Sequence, residues 1–329
     1  MRTTLKNFII GGLEKCGVLG VARFLTRHHP RILMYHRIVD NKNLPGISVD
    51  VFEQQLIYIK QHFNVVSLNH LLNELKKAKR FKRNIAITFD DGHKDFFQTA
   101  WPLLKKHDIP ATLFVTTGFV DRNLWLWPDL LRYILLSTKV KQFDLEKFGS
   151  INISSDNVLA IWNTLGDYCL TLSQQQRTEF LNNLAVQLDV VINNIPQNPF
   201  DAVSWDDLRA MYKEGLDIGS HSVSHPIFSA LESTELIQEL EISKQRIIEE
   251  IGAEPTGICY PNGMAKDTSP QVEMLAKQFY QYGLVAYPAP IDSKHIMHIG
   301  RYSASNKMQH FKWLISGLSR NNNQHGEYK

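Results

Sequence analysis

Short apolar runs rich in β-branched and aromatic residues alternate along the chain with longer stretches in which apolar positions recur every three or four residues. Arg31 to Tyr35 reads as a first strand, and Phe52, Leu56, Ile59 and Phe63 follow helical spacing behind Asp50 as a cap. A short strand starts at Val65 and Val66, Leu68 to Lys79 is helical, and Asn84 to Phe89 is a strand. The pattern next predicts a helix from Asp95 to His107, with Phe96, Ala100, Leu103 and Leu104 on one side, and a strand from Ala111 to Val115. Beyond Thr116-Thr117-Gly118 the alternation breaks. Residues 120–200 read as a mostly helical insertion with polar joints at Asn152 to Asn157 and Asn193 to Pro199. The alternation resumes with a helix from Trp205 to Glu214, a strand from Leu216 to Ile218, and a helix striped by Leu236, Ile237, Leu240, Ile247, Ile248 and Ile251 and closed by Gly252. Ile258 to Tyr260 and Leu284 to Tyr287 are further strands, separated by a helix around residues 269–282. Such alternation argues for a parallel sheet or barrel of the α/β class rather than a sandwich.

Composition changes this picture little. The 329 residues are 43% hydrophobic and 21% charged, an ordinary globular balance with room for one large α/β domain or two smaller ones. A net charge of +3 is too mild for a nucleic-acid binder, which concentrates basic residues on one face. The charge is uneven, however: Arg2, Lys6, Lys15, Arg23, Arg27 and Arg31 face Glu14 alone among apolar neighbours. Residues 1–30 are therefore expected to form a basic amphipathic helix, either touching the inner membrane surface peripherally or packing on the domain. Glu14 and Lys15 interrupt the apolar run Phe8 to Leu13 and no small-residue cleavage site follows, so neither a cleavable signal peptide nor a transmembrane helix is expected. Cys16, Cys169 and Cys259 are too scattered for a disulfide framework or a thiolate zinc site, and a cytoplasmic location is expected. The tail from Arg320 to Lys329 is expected to fray.

Chemistry concentrates at two strand ends. The strand Asn84 to Phe89 stops at adjacent carboxylates, Asp90 and Asp91, and far downstream Leu216 to Ile218 leads into His221 and His225. Asp and Gly favour tight turns, so Asp90-Asp91-Gly92 could be a turn and no more. Neighbouring carboxylates nevertheless repel unless a cation or hydrogen bonds compensate them. One carboxylate and two imidazoles make a three-ligand set for a borderline divalent metal, with the spare carboxylate free to take a proton from water. In α/β barrels the C-terminal rim of the strands is where catalytic groups collect.

Thr88-Phe89-Asp90-Asp91-Gly92 and His221-Ser222-Val223-Ser224-His225, in that order, resemble the first two motifs of the polysaccharide deacetylases, carbohydrate esterase family four. The resemblance runs over roughly residues 31–305 and takes in Met34-Tyr35-His36-Arg37 and Tyr260-Pro261-Asn262-Gly263. It implies a distorted, incomplete (β/α) barrel, expected here over residues 31–310, and the alternation adds a helical insertion at about 120–200 and a C-terminal helix and tail over 311–329. It further implies that Asp91, His221 and His225 hold a divalent ion, zinc first and cobalt, nickel or manganese as alternatives, with Asp90 as general base. A backbone N–H in the loop at Tyr260 would face the oxyanion. The substrate it implies is an acetylated glycan, losing N-acetyl groups from N-acetylhexosamine residues of a polysaccharide, and with no export signal evident a lipid-linked precursor at the cytoplasmic face is the expected form. O-deacetylation, another acyl-amide hydrolysis, or an inactive glycan-binding barrel are the alternatives.

Two positions depart from the family pattern. No late Leu-x-x-His motif can be placed, so His36, at the end of the first strand, is expected to be the general acid, ahead of His298 and His295. Cys259 stands where many relatives carry an arginine that orients the base, and Arg301 in Ile-Gly-Arg-Tyr is expected to supply that charge from another strand end. His93, directly after the carboxylates, could line the cleft. Trp125, with Trp127, could stack on a sugar ring or pack the insertion.

Overall fold

The apolar runs become strands β1 (Arg31–Tyr35), β2 (Asn64–Val65), β3 (Asn84–Phe89), β4 (Ala111–Val115), β5 (Gln142–Leu145), β6 (Gly149–Asn152), β7 (Asp217–Ser220), β8 (Gly257–Cys259), β9 (Tyr282–Leu284) and β10 (Tyr302–Ser303). The computed structural model describes residues 16–41, 43–77 and 81–318. Residues 1–15 of the expected amino-terminal helix and the tail from Arg320 lie outside these described residues. The described chain falls into two units. One takes the chain up to Val120 together with that from Ala202 onward, the other Asp121–Asp201.

In the larger unit all the strands are parallel, in the order β10-β1-β3-β4-β7-β8-β9, with β2 beside the start of β3. An Ile299–Leu284 bridge links β9 to the segment that leads into β10, so the sheet curls back toward its own first strand. Every residue of β1, β3 and β4 is buried, which is why these strands read as continuous apolar runs rather than alternating ones. The period of two still divides them. Leu33, Tyr35, Ile85, Ile87, Phe89, Leu113 and Val115 pack outward with helix residues such as Phe52, Leu56 and Leu104, while Ile32, Ala86 and Phe114 pack with Cys259, Leu284 and Ile299 inside the curl. Continuing that alternation, Thr88 and then Asp90 face the inside at the C-terminal end of β3.

Several boundaries differ from the sequence expectation. The fourth predicted helix opens with a π-turn, Phe96–Ala100, before the α-helix Trp101–Lys106, whose second residue is Pro102. Pro102 has no N–H to give an i−4 carbonyl, which accounts for the irregular first turn. β9 begins at Tyr282 rather than Leu284, and β10 is too short to show a period. Within Asp121–Asp201, helices Trp127–Ser137, Val158–Cys169 and Gln174–Gln187 enclose a core of Leu131, Ile134, Leu165, Leu181 and Leu184. The β5–β6 hairpin was not anticipated there, because of its eight residues only Phe143 is buried and no apolar alternation marks it. Toward the amino terminus, helix Val18–Leu25 buries Leu19 and Ala22 and exposes Val21, Phe24 and Leu25. Among the described residues, no helix is long and apolar enough to cross a membrane.

The crossing before β10 is tight. A Cβ on Gly300 would meet the backbone N and O of Ala289 at 2.0 and 2.5 Å. Gly300→Ala is expected to destabilise the fold by about 2–3 kcal/mol, read as a lowered midpoint in thermal or urea denaturation, because backbone atoms cannot yield as a side chain can.

Candidate active site

The turn after β3 brings both carboxylates to the same place. Asp90 continues the strand alternation and its N–H donates to the Tyr35 carbonyl, whereas Asp91 and Gly92 both adopt positive φ, 75° and 94°. That left-handed step swings Asp91 around the strand end instead of to its opposite face. On β7 the His221 N–H still belongs to the sheet, donating to Val115 O, and the loop then turns through Ser222 to return His225. Asp91 Oδ1 lies 3.5 Å from His221 Nε2 and 3.6 Å from His225 Nε2, and the two imidazole centroids are 4.8 Å apart.

These residues suit a divalent ion. Three donor atoms of mixed N and O type converge within 4.8 Å of one another, and His221 Nδ1 sits 2.7 Å from the Cys259 carbonyl. That contact fixes the proton on Nδ1 and leaves Nε2 as a lone pair facing Asp91. Burial, and then the neighbouring His221, lower the His225 pKa to about 4, so this imidazole stays neutral and able to ligate at neutral pH. Burial raises the Asp91 carboxyl, but the surrounding imidazoles, His36 foremost, outweigh it and keep it low.

A second convergent group, Asp90, His221 and Cys259, is a poor cation site. The Arg301 guanidinium already occupies both Asp90 oxygens, Nη1 to Oδ1 and Nη2 to Oδ2, each at 2.7 Å. Burial pushes the Cys259 thiol up, so it stays protonated and can donate to Asp90 Oδ2 at 3.4 Å, while Arg301 Nη2 lies 2.8 Å from the sulfur. Arg301 is itself fully buried and donates to Val285 O and Thr88 Oγ1. Burial alone would raise the Asp90 carboxyl, but the charge and hydrogen bonds of Arg301 reverse this and hold it well below the usual range.

His36 Nε2 stands 4.0 Å from Asp90 Oδ2 with its side chain 47% exposed, the one imidazole of the group that is open to solvent. Its neighbour Arg37 is pinned by Asp95, 2.7 Å away, which ties the end of β1 to the segment after β3. Other expected positions take different places. His93 is buried at 3% exposure against Phe119, with Nδ1 3.7 Å from Asp91 Oδ2, so it backs a ligand rather than lining a cleft. Tyr260 gives its N–H to Leu284 O and its hydroxyl to Met297 O, so its own N–H and side chain belong to the fold. Trp125 belongs to the Asp121–Asp201 unit, donating its indole N–H to Asn193 O and resting on Tyr133 and Phe200. His298 lies between Glu273 and Tyr287, and His295 pairs with Asp292 at the surface.

A family model described as polysaccharide deacetylase matches residues 77–141 and 169–280, a span that holds Asp90, Asp91, His221 and His225. The chain belongs to the polysaccharide deacetylase family. His36 and Arg301 fall outside the matched span. Among relatives, poly-beta-1,6-N-acetyl-D-glucosamine N-deacetylase of Staphylococcus aureus (strain MRSA252) is 40% identical over 117 residues, 34% of this chain and 40% of that protein. The protein of the same name in Staphylococcus epidermidis is 34% identical over 190 residues, 54% of this chain and 63% of that one. The alignments thus take in less than two thirds of these relatives' length. In fold the family member resembles the Streptococcus pyogenes deacetylase PplD in complex with acetate, at a TM-score of 0.58 and 17% identity, covering 88% of this chain and 95% of that one. IcaB from Ammonifex degensii aligns at 0.59 and 16%, covering 88% and 97%. At such identities the likeness speaks for the curled (β/α) barrel alone.

Proposed function

We propose that the protein is a metal-dependent hydrolase that removes N-acetyl groups from N-acetylhexosamine residues of a polysaccharide, with a β-1,6-linked N-acetylglucosamine polymer as the first substrate to test. The observation that carries this reading is the convergence of Asp91, His221 and His225 beside a second carboxylate whose two oxygens are held by Arg301. The names of the staphylococcal relatives support the choice of glycan. A divalent ion on the three ligands, zinc by the nitrogen and oxygen donor set, would supply Lewis acidity to activate water and polarise the acetyl carbonyl. Asp90, held through both oxygens by Arg301, would accept the water's proton. His36, open to solvent with Nε2 4.0 Å from Asp90 Oδ2, would return a proton to the departing amine.

The test is acetate release from three acetylated substrates, β-1,6-linked N-acetylglucosamine oligomers, chito-oligosaccharides and O-acetylated sugars, before and after chelation. Release from the N-acetylated sugars is expected to fall to background on chelation and to return with added zinc. Turnover that ignores metal removal, or release from the O-acetylated sugars alone, would overturn the reading.

A further inference from the structure

The three residues between His221 and His225 must reverse the chain so that both imidazoles meet one ion, and that reversal is costly. Ser222 and His225 both hold positive φ, 69° and 57°, a region that side chains with a Cβ occupy at a penalty on the order of 1 kcal/mol or more each. Something outside the loop must over-determine it. On one side the carbonyls of Ser222 and Val223 accept from the Thr117 and Gly118 N–H groups, 3.0 and 2.9 Å away, just beyond β4. On the other side, the N–H groups of Val223 and Ser224 point together at a single carboxylate. Glu239 Oε2 accepts both, at 2.7 and 3.0 Å, and its Oε1 accepts the Ser224 hydroxyl at 2.6 Å. Successive N–H groups of this kind form an anion-binding nest, and hydrogen bonds to an ionised acceptor are about twice as strong as neutral ones. Glu239 rides on the helix Ser233–Ile251, which is seated in the core through Leu236, Leu240 and Ile247, so the clamp is mounted on a rigid element.

We propose that Glu239 is a positioning residue of the metal centre: it holds the 222–224 turn so that His221 and His225 are presented to the ion already in ligating geometry. Its hydrogen bonds go to the turn between the two ligands, to the Val223 and Ser224 N–H groups and the Ser224 hydroxyl, and it acts through that turn. The inference rests on the metal-centre reading above, and it deepens that reading by naming a carboxylate outside the ligand set on which metal affinity depends. Without the clamp, the ion would have to order the loop as it binds, and that cost appears as weaker affinity.

The experiment is zinc affinity of the full chain by competition with a chromophoric chelator, alongside thermal melting of the metal-free protein. Glu239→Ala is expected to weaken zinc binding about 10–100-fold, the range typical of residues that orient ligands, with the metal-free melting curve still cooperative. Glu239→Gln, which keeps one acceptor oxygen, and Ser224→Ala, which removes one of the three bonds, are expected to fall between it and wild type. Glu241→Gln, an exposed charge on the same helix, is expected to match wild type. If Glu239→Ala does not fold, Glu239→Gln and Ser224→Ala carry the test. Folded variants at Glu239 that bind zinc within twofold of wild type would overturn this proposal and leave the metal centre standing. A wild-type chain that binds no zinc would overturn the metal centre itself.

Discussion

Asp90→Asn is expected to lower kcat by about 10²–10⁴-fold while the protein retains its metal, because the residue loses a proton acceptor and the ion loses no ligand. Both Asp90 oxygens are engaged by Arg301, and the three convergent donors belong to other residues. The substitution is isosteric and leaves one oxygen to accept from the guanidinium. It also removes the counter-charge of an arginine with no exposed surface, and breaking a buried ion pair costs about 3–5 kcal/mol. Stability and turnover must therefore be measured together. The pH dependence separates them. Because Asp90 has a depressed pKa in the fold, its pairing stabilises the wild type fully above the unfolded-state value of about 4, and this is lost as pH falls from there toward the folded value. The stability gap between wild type and Asp90→Asn should accordingly be widest at neutral pH and narrow under acid. A folded Asp90→Asn protein with wild-type turnover would remove Asp90 from the chemistry altogether.

His221→Ala should separate cleanly from that behaviour by losing metal and turnover together. Its Nε2 is one of three convergent donors, and its Nδ1 contact with Cys259 O sets the tautomer, so removal takes away a ligand. Changing residues that merely orient a ligand typically weakens metal affinity about 10–100-fold, and loss of a ligand itself should exceed that. The fold should survive, since the backbone N–H of residue 221 keeps its bond to Val115 O in the sheet. Elemental analysis after desalting, with circular dichroism as the check on folding, reads this directly. One equivalent of zinc held at wild-type affinity by His221→Ala would place the ion elsewhere.

The same contrast marks what could be read from the chain before its structure was known. The alternation of buried strands and amphipathic helices, and the abrupt ends of β3 and β7 in Asp90-Asp91-Gly92 and His221 to His225, are local patterns. Strand burial writes an apolar run and a strand end writes its turn chemistry within a few residues. The α/β barrel was legible for that reason. The β5–β6 hairpin and β10 were not, since one buries almost nothing and the other spans two residues.

By itself the sequence determined the strand-and-helix order and the identity of the four side chains that the fold gathers at one rim. Only the tertiary structure decided how they are held. Arg301 reaches Asp90 from across the curl, Cys259 lends its carbonyl to His221 from β8, and Glu239 clamps the His221–His225 turn from a distant helix. It also withdrew Tyr260 and His93 into buried supporting contacts. These pairings join different elements through one to three hydrogen bonds each, and such point contacts leave no period in sequence by which they could be foreseen.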